Sequence, residues 1–319
     1  MSATKSWIYL LLANLMWALQ FTCVKLVQDQ IGPFATVWGP MTLATVMLYP
    51  LLRREQRTHP PKGQRSSKDI LLYLILAAVG VFPGQFFITW GTRLSLASNA
   101  ALLMLTLPIC TAFMAYIFLG ERMTAIRWIS FGLALAGVIM CSGIDWRTIS
   151  FGSRYLAGNV LVILGLNGSA FYNSYSKKVL KRYSPLEVIF YTYVAMFVVM
   201  TPLTLATEAD VFARIPSFTL LTWLALLSLT FFHNYLSMVL FLKALDYLDA
   251  IQASLSNYLI TFFGLPISVI WLGERLTPMM IVGGIIVLCS TLLITVWEER
   301  KRRATGVVGG AAATETLPG

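Results

Sequence analysis

Amide side chains recur in register along this chain, inside stretches that are otherwise apolar. Asn14 is matched by Asn167 and Gln20 by Asn173, each pair 153 residues apart. An amide donates and accepts hydrogen bonds at once. Walled by aromatic rings such as Trp17, Phe21 and Tyr172, amides make a pocket suited to a zwitterionic or weakly polar organic solute. Gln85, Asn257, Tyr258 and Phe262 extend the same set. His233, beside Asn234, is the one deep titratable group, and an imidazole can change charge near neutral pH. Each of these residues also has a structural reading. The amides could be interhelical bonds worth about 0.6 kcal/mol each in a membrane, and His233 a neutral, hydrogen-bonded core residue.

The elements that must position these groups follow from composition. The chain has 319 residues, is 57% hydrophobic and 12% charged, and has a mean hydropathy of +0.73. Soluble domains carry about 25% charged residues, so the chain reads as an integral, multi-pass membrane protein. Apolar runs cover residues 7–27, 34–52, 70–90, 96–118, 125–143, 156–176, 186–206, 219–242, 250–271 and 278–297. Each is near the length of about 20 residues that spans a bilayer as a helix. The expected fold is therefore all-α, with about ten transmembrane helices. The first run is read as a span, not a cleaved leader. Gly32-Pro33, Pro60-Pro61, Ser184-Pro185, Pro216-Ser217 and Thr277-Pro278 mark the breaks. Cys23, Cys110, Cys141 and Cys289 lie in apolar segments without metal-ligand spacing and read as small core residues.

The net charge of +10 invites a nucleic-acid reading, but its distribution argues for orientation instead. With the N-terminus inside, Lys and Arg crowd the inner segments, chiefly at 53–68, 177–182 and 300–303. Lys25, Arg93, Arg147, Arg154, Arg214 and Arg275 fall at outer ends. This bias predicts N-in, C-in topology in the cytoplasmic (inner) membrane of the cell. Leu119-Gly120-Glu121-Arg122-Met123-Thr124 returns as Leu272-Gly273-Glu274-Arg275-Leu276-Thr277, at the same offset of 153. A duplicated unit of five spans re-enters the membrane from the opposite side, so the halves are expected to be inverted repeats. Their expected bounds are 7–143 and 156–297, with a disordered cytoplasmic tail over 303–319.

What is missing narrows the function. All 14 acidic residues fall in loops, tails or helix ends. Proton or sodium coupling through a midplane carboxylate is therefore not expected, which leaves His233 as the candidate for proton coupling. No Lys or Arg lies mid-span to pair with a phosphate. One deep histidine without a carboxylate assembles no catalytic constellation, so no enzyme is expected. A channel would show a charged ring or filter motif; a non-transporting scaffold is the other alternative. Glu121 and Glu274 read as turn formers that cap the helix following each. Asn99 and Gln252 read as helix-start hydrogen-bonders, the preferred reading, or as gate residues. Lys25, Lys177 and Lys178 sit at helix ends, where they can snorkel to headgroups.

Together these residues resemble a family. The doubled Leu-Gly-Glu-Arg turn resembles the two EamA domains of the drug/metabolite transporter superfamily. So do the small-residue helices behind each turn (Gly132, Ala136, Gly137; Gly283, Gly284, Ser290), the stretch Ala97-Ser98-Asn99-Ala100-Ala101, and Met16-Trp17 with Phe21 and Lys25. The resemblance covers roughly residues 7–297. It implies a central cavity between the halves and alternating access for small organic solutes, with export of amino acids as the preferred activity. A nucleotide-sugar, phosphosugar or drug carrier is the alternative within the superfamily. No cofactor, metal or nucleic acid is expected. The expected partners are a small-molecule substrate and the lipid bilayer, with the chain a monomer or homodimer. The copies differ: Ala170 stands where the first repeat has Trp17.

Overall fold

A computed structural model describes residues 3–58, 67–119, 125–141, 154–247, 253 and 256–304, and the described elements are helical throughout. The first Gly-Glu-Arg turn, Gln252, Cys141's side chain and the tail after residue 304 lie outside the described structure. Among the described residues, six helices are long and apolar enough to cross a membrane: Lys5–Val27, Pro33–Thr58, Asp69–Leu94, Tyr155–Val179, Pro185–Glu208 and Leu220–Tyr247. Shorter apolar helices cover Ala97–Thr111, Leu259–Leu272 and Pro278–Ser290. Ile270 and Leu220 are each 75% exposed on the outer surface. A rim of this kind is stable in lipid and costly in water.

In chain order the α-helices are α1 (Ala3–Val27), α2 (Pro33–Thr58), α3 (Ser67–Ile75), α4 (Ile88–Leu94), α5 (Ala97–Leu103), α6 (Leu107–Leu119) and α7 (Ala125–Cys141). There follow α8 (Arg154–Val179), α9 (Pro185–Glu208), α10 (Val211–Arg214), α11 (Leu220–Ser228), α12 (Ser237–Tyr247), α13 (Tyr258–Leu272) and α14 (Pro278–Ala304). Local chemistry sets the boundaries. Ser184 and Glu187 form a reciprocal capping box at the start of α9, with Pro185 in the first turn. Gly273 ends α13 at φ +64°, a left-handed conformation that favours glycine. Pro108 has no N–H for the carbonyl of Met104. That carbonyl accepts from Leu107 instead, and a 3₁₀ turn over Met104–Thr106 separates α5 from α6.

The third span of each repeat departs from a plain α-helix. π-Helical turns occupy Leu76–Val81 and Pro83–Phe87 in the first, and Leu229–Leu236 in the second. Leu76 and Leu229, where they begin, are themselves 153 residues apart. In the second copy Asn234 donates its side-chain amide to the Leu229 carbonyl at 2.8 Å, five residues back, which supports the wider turn. π-Turns inside helices are frequent at functional sites. Periodicity had read both spans as regular helices.

The halves interleave. α1 packs on α12 and α13, α2 on α9, α4 on α8, and α7 on α14. The π-helical stretch of the third span lies against α8 through small residues. A Cβ on Gly168 would stand 2.8 Å from the Gly80 carbonyl oxygen and 2.9 Å from the Gly84 nitrogen. In lipid, where apolar surface gains nothing by leaving the solvent, such close backbone approach is what holds helices together. α2 and α9 hold equivalent places in the two halves and run antiparallel. The Glu208 carboxylate at the end of α9 accepts from the Phe34 and Ala35 N–H groups at 3.0 and 2.8 Å, at the start of α2. Reciprocally, Ser184 at the start of α9 donates to Glu55 near the end of α2 at 2.9 Å. Carboxylates at helix N-termini satisfy orphan donors and favour the dipole.

Candidate functional site

One cavity of about 80 Å³ lies where α1, α8, α9, α12 and the two π-helical stretches converge. α1 brings Trp17, Gln20 and Phe21; α8 brings Ser169, Tyr172 and Asn173. Gln85 comes from the Pro83–Phe87 π turn and His233 from the Leu229–Leu236 π turn. Tyr193, Met238 and Phe241 are among the remaining, mostly apolar wall residues, with Trp17 and Phe241 in ring contact at 4.9 Å. Among the described residues, no Asp, Glu, Lys or Arg lines it.

Gln85 and His233 face each other across the junction of the repeats, Nε2 of the imidazole 3.1 Å from Oε1 of the amide. Since that oxygen can only accept, the ring carries its proton on Nε2 in this arrangement. Nδ1 is then a buried acceptor without a partner. Ser237 donates its hydroxyl to the His233 carbonyl, and Tyr193 donates to the Asn234 carbonyl at 2.9 Å. Gln20 and Asn173 are 8% and 7% exposed, and both line the cavity. They are a register pair of the repeat.

Of the candidates from sequence, Trp17, Gln20, Phe21, Gln85, Tyr172, Asn173 and His233 are brought together here. The others are not. Asn14 is fully buried but turned away: its amide nitrogen donates to the Leu10 carbonyl at 2.7 Å and to Ser256 Oγ at 2.8 Å. Asn167 donates to the Ile163 carbonyl, one turn back in its own helix, at 2.8 Å. These two amides do not meet. Asn257 is buried outside the cavity lining, with both amide atoms unpartnered. Phe262 is 70% exposed on the outer surface of α13, so it is no cavity wall. Tyr258 opens α13 and its side chain lies outside the described residues.

Three charged residues also depart from expectation. Glu274 does not cap the helix that follows it. Its carboxylate accepts from the Ala97 and Ser98 N–H groups at 2.8 Å each, capping α5 of the other repeat, while Thr277 serves α14. Lys25 and Lys177 do not reach for headgroups. They donate to the carbonyls of Arg93 at 3.1 Å and Leu245 at 2.6 Å, at the ends of α4 and α12. A cation there complements the helix dipole. Lys178 is exposed, its ammonium over the Tyr175 ring at 5.9 Å. Asn99 behaves as a helix-start hydrogen-bonder, donating to Ser95 Oγ at 3.2 Å. Ser169, Tyr193, Met238 and Phe241 were missed. Their signal was adjacency to the repeated amides and to the π turns, which periodicity does not reveal.

The profile of the EamA-like transporter family matches twice, over residues 4–143 and 156–296. The chain belongs to the EamA-like transporter family. It is a multi-pass membrane protein of a family of transporters, not enzymes. A relative in Streptantibioticus cattleyicolor, named a probable terminal-alkyne amino-acid exporter, is 26% identical over 94% of this chain and 96% of its own length. The uncharacterized transporter YcxC of Bacillus subtilis is 25% identical over 95% and 97%. A solved crystal structure aligns with TM-score 0.65 at 14% identity, over 94% of this chain and 99% of the other, which shows a shared fold. The cavity of this EamA-like chain is thus built from both copies of the family domain.

Proposed function

We propose that this protein is a secondary transporter exporting amino acids or similar small organic metabolites by alternating access around the central cavity. The observation that carries the reading is the lining itself. Amide, hydroxyl and imidazole groups from both repeats meet among aromatic rings, with no fixed charge among the described residues. Such a site can serve the ammonium and the carboxylate of a zwitterion through hydrogen bonds, without favouring either net charge. The amino-acid exporter among the relatives supports this class. A phosphosugar or nucleotide sugar would want a guanidinium or ammonium in the wall, so that reading stands second. In this arrangement the cavity is smaller than the roughly 300–1,000 Å³ of typical ligand pockets, and we take solute admission to require opening.

The frame proposed is two inverted repeats, residues 7–143 and 156–297, in the cytoplasmic membrane with both termini inside. The antiparallel α2–α9 pair, tied at one end by Glu208 on the Phe34 and Ala35 N–H groups and at the other by Ser184 donating to Glu55, supports the inversion. Counterflow tests the function. Proteoliposomes preloaded with unlabelled amino acids take up labelled threonine, methionine or tryptophan saturably if the reading holds; uptake of none of them contradicts it. Proton coupling has one candidate, His233. Uptake driven by a pH gradient and lost in His233→Gln would establish it. Uptake indifferent to the gradient makes the protein a facilitator.

A further inference from the structure

A second cavity, of about 240 Å³, opens on the outer surface between α2 and α10–α11. Its lining is almost wholly apolar, with Trp38, Phe212 and Trp223 as its large rings. Leu43 and Leu227 at its rim are more than half exposed, as lipid-facing side chains are. This cavity and the central one are neighbours in a series. Trp38 and Thr42 line the outer cavity, and they also line a closed cleft, without free volume in this arrangement, whose other walls include Met41, Met196 and Met200. Tyr193 is a wall residue of both that cleft and the central cavity.

The closure of the cleft rests on a latch between two weakened helices. Trp38 donates its indole N–H to Thr201 Oγ1 at 2.9 Å, from α2 to α9. Its ring also packs on Phe197 at 6.3 Å and edge-on against Phe212 at 5.6 Å. Pro40 interrupts α2 two residues past Trp38, and Pro202 interrupts α9 next to Thr201. A proline inside a helix removes a backbone hydrogen bond and permits bending there. Gly39, between tryptophan and proline, has open space where a Cβ would be. Methionines behind the latch can rearrange around a guest of irregular shape.

We infer that this series is a lateral route by which a small amphipathic solute passes between the bilayer and the central cavity, with Trp38 and Thr201 as its gate. The inference rests on the central cavity being a solute site, and it concerns uncharged amphipathic solutes of that site, since a zwitterion does not enter the bilayer core. The polar end meets the amides and imidazole of the centre; the apolar part travels the tryptophan and methionine cleft. Continuity with a polar centre is what separates this from a groove for lipid tails alone.

The test uses the purified full-length chain in lipid nanodiscs with a medium-chain alcohol carrying a photoreactive diazirine. Cross-links are located by peptide mass spectrometry. The route predicts cross-links around Trp38 and also at Tyr193 or Phe241. Thr201→Val, which removes the acceptor of the latch, raises the inner cross-links; Gly39→Phe, which fills the outer cavity, abolishes them. Inner labelling that neither variant changes overturns the route. Labelling confined to the outer cavity, in wild type and Thr201→Val alike, also overturns it and leaves a groove for lipid acyl chains. If Gly39→Phe fails to fold, the rise or its absence in Thr201→Val decides. The readout is alcohol binding, so failed amino-acid counterflow and a failed route are separate results.

Discussion

His233 and Gln85 meet because each repeat puts a π turn in its third span, and the two turns face one another. His233 stands at the position of Gly80 in the first copy, 153 residues earlier. The pair is therefore a departure from the repeat, whereas Gln20 and Asn173 are the repeat itself. Gln85→Ala leaves a buried imidazole N–H without its acceptor, a cost of about 1–3 kcal/mol. We expect a lower unfolding temperature together with impaired flux; Gln85→Ala protein that unfolds and transports like wild type would contradict that pairing. Asn14→Ala is expected to behave differently. It removes a bond to Ser256 worth about 0.6 kcal/mol in a membrane, so folding weakens slightly while saturable counterflow persists. At this scale the sequence disclosed which residues are polar at membrane depth, since their cost there forces them inward. It did not disclose which way they point. Asn14 and Gln20 lie on the same helix, yet one bonds a neighbouring helix and the other faces the cavity.

Among the helices, the charged residues at span ends act as clamps between repeats. Glu208 and Glu55 share the offset of 153 that drew attention to Glu121 and Glu274. The register was thus visible in sequence, but not the partner, because a cap supplied by another helix leaves no local pattern. Gly32 makes the Glu208 clamp possible: a Cβ there would sit 2.1 Å from the carboxylate carbon. Glu208→Ala should cost about 1 kcal/mol, as loss of a helix cap does. Gly32→Ala displaces the same carboxylate, so the two changes together should destabilise less than their sum. A double-mutant cycle by thermal unfolding measures this, and strict additivity would contradict the clamp. Span positions were legible because long apolar runs between turn signals leave little choice. The interruptions were not. Pro83 and Pro108 mark two of them, but the second copy's π turn depends on the Asn234 side chain bonding its own backbone.

For the molecule as a whole, duplication was the most legible property, and the interleaving of the copies the least. Each half looks self-contained in sequence, yet α2 pairs with α9 and α7 with α14 across the halves. Small residues permit that contact but do not specify a partner. The close approach between α8 and the π stretch of the third span forms one side of the central cavity. Gly168→Val forces these backbones apart, and we expect loss of the folded protein, read as aggregation in size-exclusion chromatography. A monodisperse variant would show the seam to be loose. The central claim is that solute passes through the cavity shared by both repeats. The most direct test is counterflow of whichever labelled amino acid the wild type carries, compared in Gln20→Leu/Asn173→Leu and in Asn14→Ala. With comparable unfolding temperatures, the account predicts that the double variant loses saturable uptake while Asn14→Ala retains it. Wild-type uptake by the double variant would contradict it.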